Sequence, residues 1–262
     1  MKNLLSFVTL RLLPPTAAAF LGLLLAGCPD TGTKRPDKLD DAAVYNTQLG
    51  INYMHQNELA VAKDKLDRAV KQDPSYAPAH SARAMLYDRL GNSEVADNEF
   101  RTALRLSPHD PDMINNYAVY LCQNGRTDEG VKKFQEAAAN ALYRTPEAAY
   151  TNAGVCLRAA KRDEEARAQF VKALQARPNY GEAAYQLANL QFQHNELAQS
   201  RKLIDSFLAN FPQTADLLLL GVRVARAQGD AAASQKYARK LQLDFPGSDQ
   251  ARSLAAADHP PG

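Results

Sequence analysis

The chain has 262 residues, 45% of them hydrophobic and 23% charged, with three cysteines. That length supports one elongated repeat array or two ordinary globular domains. Lys2 and Arg11 account for the formal charge of +2, so the remainder carries no net bias toward nucleic acid or an anionic membrane.

Residues 1–27 have the form of a leader. Lys2 and Arg11 provide a positive start, and Ala17 to Gly27 is an apolar run of 11 residues. A bilayer span needs ~20 residues, so this run suits the hydrophobic region of a secretion signal instead. It ends in Leu25-Ala26-Gly27-Cys28, which resembles a bacterial lipobox. That resemblance implies cleavage before Cys28 and a diacyl lipid, with chains such as palmitate, joined to its sulfur through a thioether. In lipoproteins of this kind, Asp directly after the Cys marks retention at the inner membrane. Here Pro29 follows and Asp30 comes one place later, which favours an outer-membrane anchor facing the periplasm. Residues 28–42 are then the lipidated Cys and a Pro-, Gly-, Thr-, Lys- and Asp-rich tether, too polar to bury a core. Thirteen residues of such a tether would reach ~40 Å.

From residue 43 a frame recurs. Gly50 returns as Ala84, Ala118, Gly154, Ala188 and, more loosely, Val222. Leu66 returns as Phe100, Phe134, Phe170, Ile204 and Ala238. Pro74 returns as Pro108, Pro178, Pro212 and Pro246. The step is 34 residues, with one step of 36 between the third copy and the fourth. This period, with small, aromatic and proline marks, is that of a tetratricopeptide array. The expected fold is all-α, a superhelical solenoid of six helix pairs over 43–76, 77–110, 111–146, 147–180, 181–214 and 215–248. Small residues let paired helices approach, and the large residue fills the space beside them. Asn57, Gly91, Gly125, Asn195 and Gly229 mark the turn inside each pair, where a left-handed conformation is needed; Lys161 departs from the pattern. The prolines stop the second helices. The third repeat has Leu142 at the proline's place and a longer loop. Phe207 and Leu241 replace an alanine in the last two repeats. Residues 249–262 predict a short capping helix, with Leu254 as its apolar point, and a frayed tail.

No catalytic constellation emerges. His55, His80, His109, His194 and His259 are dispersed without metal spacing, and there is no Cys-x-x-Cys, phosphate loop or nucleophile elbow. Asp163-Glu164-Glu165 reads as the first turn of a helix. The expectation is a protein-binding molecule, not an enzyme, with no metal, cofactor, nucleic acid or small-molecule substrate. Cys122 and Cys156 fall on neighbouring first helices, two places apart in the frame. Two places are about 200° of helical rotation and ~3 Å of rise. The side chains therefore leave opposite sides of their helices and face one another, which predicts a disulfide in an oxidising compartment.

The strings NTQLGINYMHQNELAVAKDKLDRAVKQDPSYAPAH, NNYAVYLCQNGR and TNAGVCLRAAKRDEEARAQFVKAL, together with the lipobox and six repeats, resemble the PilF/PilW type IV pilus biogenesis lipoproteins. Arg83 and Val222 depart from the usual small or apolar residues. The resemblance implies a pilotin: a lipoprotein that binds a segment of the pilus secretin and promotes its outer-membrane localisation and multimerisation. Alternatives are a scaffold of outer-membrane β-barrel assembly and an adaptor recruiting peptidoglycan hydrolases. Tetratricopeptide first helices line a concave surface. The resemblance puts Val44, Thr47, Ile51, Met54 and His55 of repeat one there, with Met85 of repeat two and Tyr185 and Phe192 of repeat five.

Overall fold

The computed structural model describes residues 41–258, and within them all regular structure is α-helical. The leader, Cys28, nearly all of the tether and the tail 259–262 lie outside the described residues. The first pair is α1 (Asp41–His55) and α2 (Leu59–Gln72), the second α3 (Ala77–Arg89) and α4 (Ser93–Leu106). The third is α5 (Pro111–Gln123) and α6 (Thr127–Ala139), the fourth α7 (Pro146–Ala159) and α8 (Asp163–Ala176). The fifth is α9 (Gly181–Gln193) and α10 (Leu197–Asn210), the sixth α11 (Ala215–Ala227) and α12 (Ala231–Asp244). Helix α13 (Asp249–Asp258) follows. Asp41 and Ala42, assigned above to the tether, already belong to α1.

The same turn joins every pair. Asn57, Lys161 and Asn195 have φ of 61°, 61° and 59°, and Gly91, Gly125 and Gly229 lie at 74–75°. In each case the next residue's N–H returns to a carbonyl five places back, as in Glu58 N to Tyr53 O at 2.9 Å and Arg162 N to Leu157 O at 2.9 Å. This helix-ending motif satisfies carbonyls that the helix leaves unpaired. The second helices of repeats one, two, four, five and six each stop two residues before a proline. Repeat three uses Asn140 instead: its side-chain oxygen accepts from Leu142 N at 2.9 Å and its amide donates to His109 O at 2.9 Å. The resulting loop leaves Leu142 85% exposed while Tyr143 is buried.

Within a pair, the small residue of the first helix meets the large one of the second. A Cβ added to Gly154 would stand 2.4 Å from Phe170 Cε1, so no larger residue fits without displacing the ring. Leu66, Phe100, Phe134, Phe170 and Ile204 are all at most 1% exposed, and each such burial contributes roughly 1.5–3 kcal/mol. The sixth pair corrects the frame. There Gly221, not Val222, faces the large residue, and that residue is Tyr237, not Ala238; a Cβ on Gly221 would lie 3.0 Å from the ring. Ala238 is too small to fill the space, and Tyr237, which does, donates its hydroxyl to Asp205 at 2.5 Å with Arg201 5.1 Å over its ring. Val222 is nonetheless fully buried, as are Phe207 and Leu241 nearly so, in a core that α13 closes with Ala251 and Leu254.

Arginines near the start of second helices tie neighbouring repeats together. Arg126 reaches Asp97 at 2.8 Å, Arg162 reaches Asp128 at 2.5 Å, and Arg167 reaches Glu196 at 2.7 Å. Partly exposed pairs of this kind contribute little each; their placement sets the register between repeats. Arg83 finds its reason in the second pair. It donates to Glu99 at 2.5 Å, and Glu99 also meets His80 Nδ1 at 2.7 Å, while His80 Nε2 lies 3.0 Å from Pro74 O. Both ring nitrogens of His80 thus face acceptors.

Candidate functional site

A groove runs along the first helices of repeats one to four. Ile51, Met85, Val119 and Val155 occupy equivalent places on α1, α3, α5 and α7. They line two cavities, one of ≈310 Å³ between Ile51, Met85 and Val119, the other of ≈200 Å³ between Val119 and Val155. The cavities share Val119 and Gln123, so they are neighbours along the stack. Helical periodicity puts residues three before and four after each aliphatic on the same stripe. On α5 these are Asn116 and Gln123, on α7 Asn152 and Ala159, and all four line the cavities. The surface is therefore an aliphatic row flanked by carboxamides.

The mouth of the larger cavity carries His55, Asp88 and Arg89. Arg89 donates to Met54 O at 2.7 Å, pinning the end of α1 to α3. Asp88 accepts from Asn124 at 3.3 Å. In the smaller cavity the floor is sulfur: Cys122 and Cys156 are bonded, S–S 2.03 Å with Cα atoms 5.7 Å apart, linking α5 to α7. The sulfur explains a local oddity. The place held by Ala62, Ala96 and Ala166 elsewhere is Gly130 here, and a Cβ there would stand 2.4 Å from Cys122 Sγ.

Several sequence-based assignments to the groove require correction. Thr47 is 3% exposed and donates its hydroxyl to Ala43 O at 2.8 Å, so it is sealed in the packing. Its equivalents Ser81 and Thr151 are equally buried. Met54 edges the larger cavity but is 4% exposed and packs with Leu66, Ala82 and Leu86. Val44 is half-buried and lines neither cavity. Tyr185 and Phe192 are half-buried beside the core of the last two repeats and line neither of the two cavities. There the aliphatic row ends, because its next places are Asn189 and Arg223. Ile51, His55 and Met85 do line the groove. Val119, Val155 and the carboxamides were not singled out from sequence, although the step from Ile51 and Met85 leads directly to the two valines.

Among the described residues no cluster of three or more His, Cys, Asp or Glu could hold a metal ion, and no helix is long and apolar enough to cross a membrane. The polar groups of the groove are positioned for hydrogen bonding.

Helix pairs in this register, with a groove along their first helices, define a tetratricopeptide-repeat protein. Tetratricopeptide-repeat family profiles match residues 47–111, 81–144 and 118–181, and 157–220. The type IV pilus assembly protein PilF of Pseudomonas aeruginosa is 30% identical over 232 residues, covering 87% of this chain and 92% of PilF. The solved structure of that PilF superposes with a TM-score of 0.63 at 29% identity, over 83% of this chain and 98% of PilF. The structure of PilW, a widely conserved type IV pilus biogenesis factor, superposes with a TM-score of 0.64 at 29% identity, over 83% of this chain and all of PilW. The chain belongs to the PilF/PilW family of tetratricopeptide-repeat proteins.

Proposed function

We propose that this protein is an assembly factor of the type IV pilus: a lipoprotein anchored to the outer membrane through Cys28 that binds a segment of the pilus secretin and promotes its localisation and multimerisation. The observation that carries this reading is the similarity to PilF over 92% of that protein's length, together with a groove suited to a polypeptide. The mechanism is binding, not catalysis. The lipid supplies the address, the tether supplies reach, and the groove holds the partner.

Ile51 and Met85 are the test positions. Both are half-buried and line the larger cavity, whereas a charge at Met54 would test folding. Burying two such side chains against a partner contributes ~3–6 kcal/mol before association costs, and a charge in their place would be stranded on binding. Ile51→Asp with Met85→Asp is expected to abolish secretin multimers, read on non-reducing gels of membranes, while helical content stays near wild type. Co-purification from solubilised membranes should recover secretin with the wild type and not with the double variant. Recovery of β-barrel insertion proteins or peptidoglycan hydrolases in place of secretin would overturn the reading.

A further inference from the structure

The groove changes chemistry along its length, and the change specifies its occupant. From Ile51 to Val155 the row is aliphatic. Beside Val155 on the same helix stands Arg158, whose guanidinium crosses to the fifth repeat and donates to Gln186 at 2.6 Å and Gln193 at 2.8 Å. Both acceptors are neutral carboxamides. The nearest carboxylate in the chain of bonds is Glu182, reached only through the Gln186 amide at 2.8 Å. Arg126, Arg162, Arg167 and Arg201, by contrast, each bind at least one carboxylate directly. One repeat further on, Arg223 takes the place of the aliphatic row, exposed and without an ion pair among the described residues. A guanidinium fixed in geometry but not neutralised is a prepared site for an anion.

The carboxamides supply the second clue. Asn116 and Asn152 make only long contacts, to Ser81 at 3.4 Å and to Asn115 at 3.5 Å, although each has a donor pair and an acceptor. A helical partner satisfies its own backbone and has no use for such groups. An extended partner presents unpaired N–H and C=O groups at regular intervals, which carboxamides match. Adjacent helices are spaced about 8–10 Å apart, and an extended chain in the polyproline II conformation advances about 3.1 Å per residue with three residues per turn, so that every third side chain faces the same way. Successive aliphatic places of the groove therefore fall every third residue of the partner.

We infer that the groove binds its partner segment as an extended chain of the polyproline II type, with apolar side chains three residues apart and acidic side chains following them, the apolar ones over Met85, Val119 and Val155 and an acid on Arg158. Two further first helices follow that of Arg158, carrying Asn189 and Arg223 at the places of the aliphatic row, so the acids are proposed to be internal side chains rather than a chain terminus. This inference rests on the groove being the partner site but does not depend on the partner being a secretin.

Fluorescent peptides with both ends capped provide the test, measured by anisotropy on the oxidised repeat-bearing protein. One carries Leu at every third place in a Ser/Thr background followed by Glu-Glu; a second replaces Glu-Glu by Gln-Gln; both are also made in reversed order. In one of the two orders, the acidic peptide is expected to bind about tenfold more tightly than its neutral counterpart, the effect of one charge-assisted contact. Arg158→Gln should erase that difference, Arg158→Lys should keep part of it, and Met85→Asp should abolish binding of both peptides. Circular dichroism should show every variant folded. Equal binding of the acidic and neutral peptides, with both lost in Met85→Asp, would overturn the charge assignment and leave the groove as the partner site. Binding of the acidic peptide that survives Met85→Asp, or no binding of any peptide, would overturn the inference itself.

Discussion

Lys161 holds a left-handed backbone at φ 61°, in a turn where the other repeats use Asn or Gly. An L-residue with a long side chain is disfavoured there by roughly 1–2 kcal/mol, and Asn tolerates it better. Lys161→Asn is therefore expected to stabilise the protein by about 0.5–1 kcal/mol, seen as a higher urea midpoint with an unchanged slope. At Glu99 the decisive factor is charge. Burial pushes its carboxyl up, but the hydrogen bond from His80 and the Arg83 guanidinium outweigh this and hold it below the usual carboxylate range. Asp97 is held down in the same sense: burial opposes, while Tyr117, Arg101 and Arg126 prevail. With a folded pKa below the unfolded one, the unfolded chain takes up the proton more readily. The stabilisation is complete above about pH 5 and is lost progressively as pH falls through the unfolded and then the folded value. The urea midpoint of the wild type should fall more between about pH 6 and about pH 3 than that of Glu99→Gln; parallel curves would remove Glu99 from the acid response.

At the scale of elements, the disulfide joins α5 to α7 across a sequence separation of 34 residues. Loop-closure entropy puts the stabilisation at ~3–4 kcal/mol. Replacing both cysteines by Ala should lower the unfolding free energy by about that amount, and alkylation of the protein without reductant should leave Cys122 and Cys156 unlabelled. Gly130 is coupled to the same bond. A methyl group there meets Cys122 Sγ at 2.4 Å and Ala118 O at 3.0 Å. Gly130→Ala should destabilise the oxidised protein by roughly 1–3 kcal/mol and cost less when Cys122 is Ala, a coupling that a double-mutant cycle on urea unfolding measures. Independent penalties would show that the contact with the carbonyl dominates.

At the scale of the whole molecule, the proposed binding surface belongs to no single repeat. Four first helices contribute one aliphatic side chain each, and a cross-link fixes the spacing of two of them. Losing one repeat from such a stack removes a step of the groove as well as the interfaces on either side. The proposed address is separable from this surface. Cys28→Ala should abolish incorporation of labelled fatty acid and outer-membrane flotation while leaving the repeat array folded and able to bind the peptides above. A wild-type protein without fatty-acid label would exclude the anchor.

The helix pairs, their turns and their spacing could be read from the chain, because a solenoid repeats one local solution and each unit touches only its neighbours. Asn57, Gly91 and Pro74 mark boundaries through their own backbone preferences, which need no partner to be expressed. The facing of Cys122 and Cys156 followed from helical geometry for the same reason. Depth was another matter. Thr47 and Met54 look like surface candidates in the frame, yet one hydroxyl bonds to its own helix and one thioether fills the space beside Leu66. In the last pair the frame slips by one residue: Tyr237, with its hydroxyl on Asp205, packs its ring against Gly221, where Ala238 would leave the space unfilled. Whether a side chain is covered depends on the helices of the next repeat, and whether a guanidinium is neutralised depends on which side chains reach it across that boundary. Those are contacts between residues about 30 positions apart, and only the assembled stack decides them.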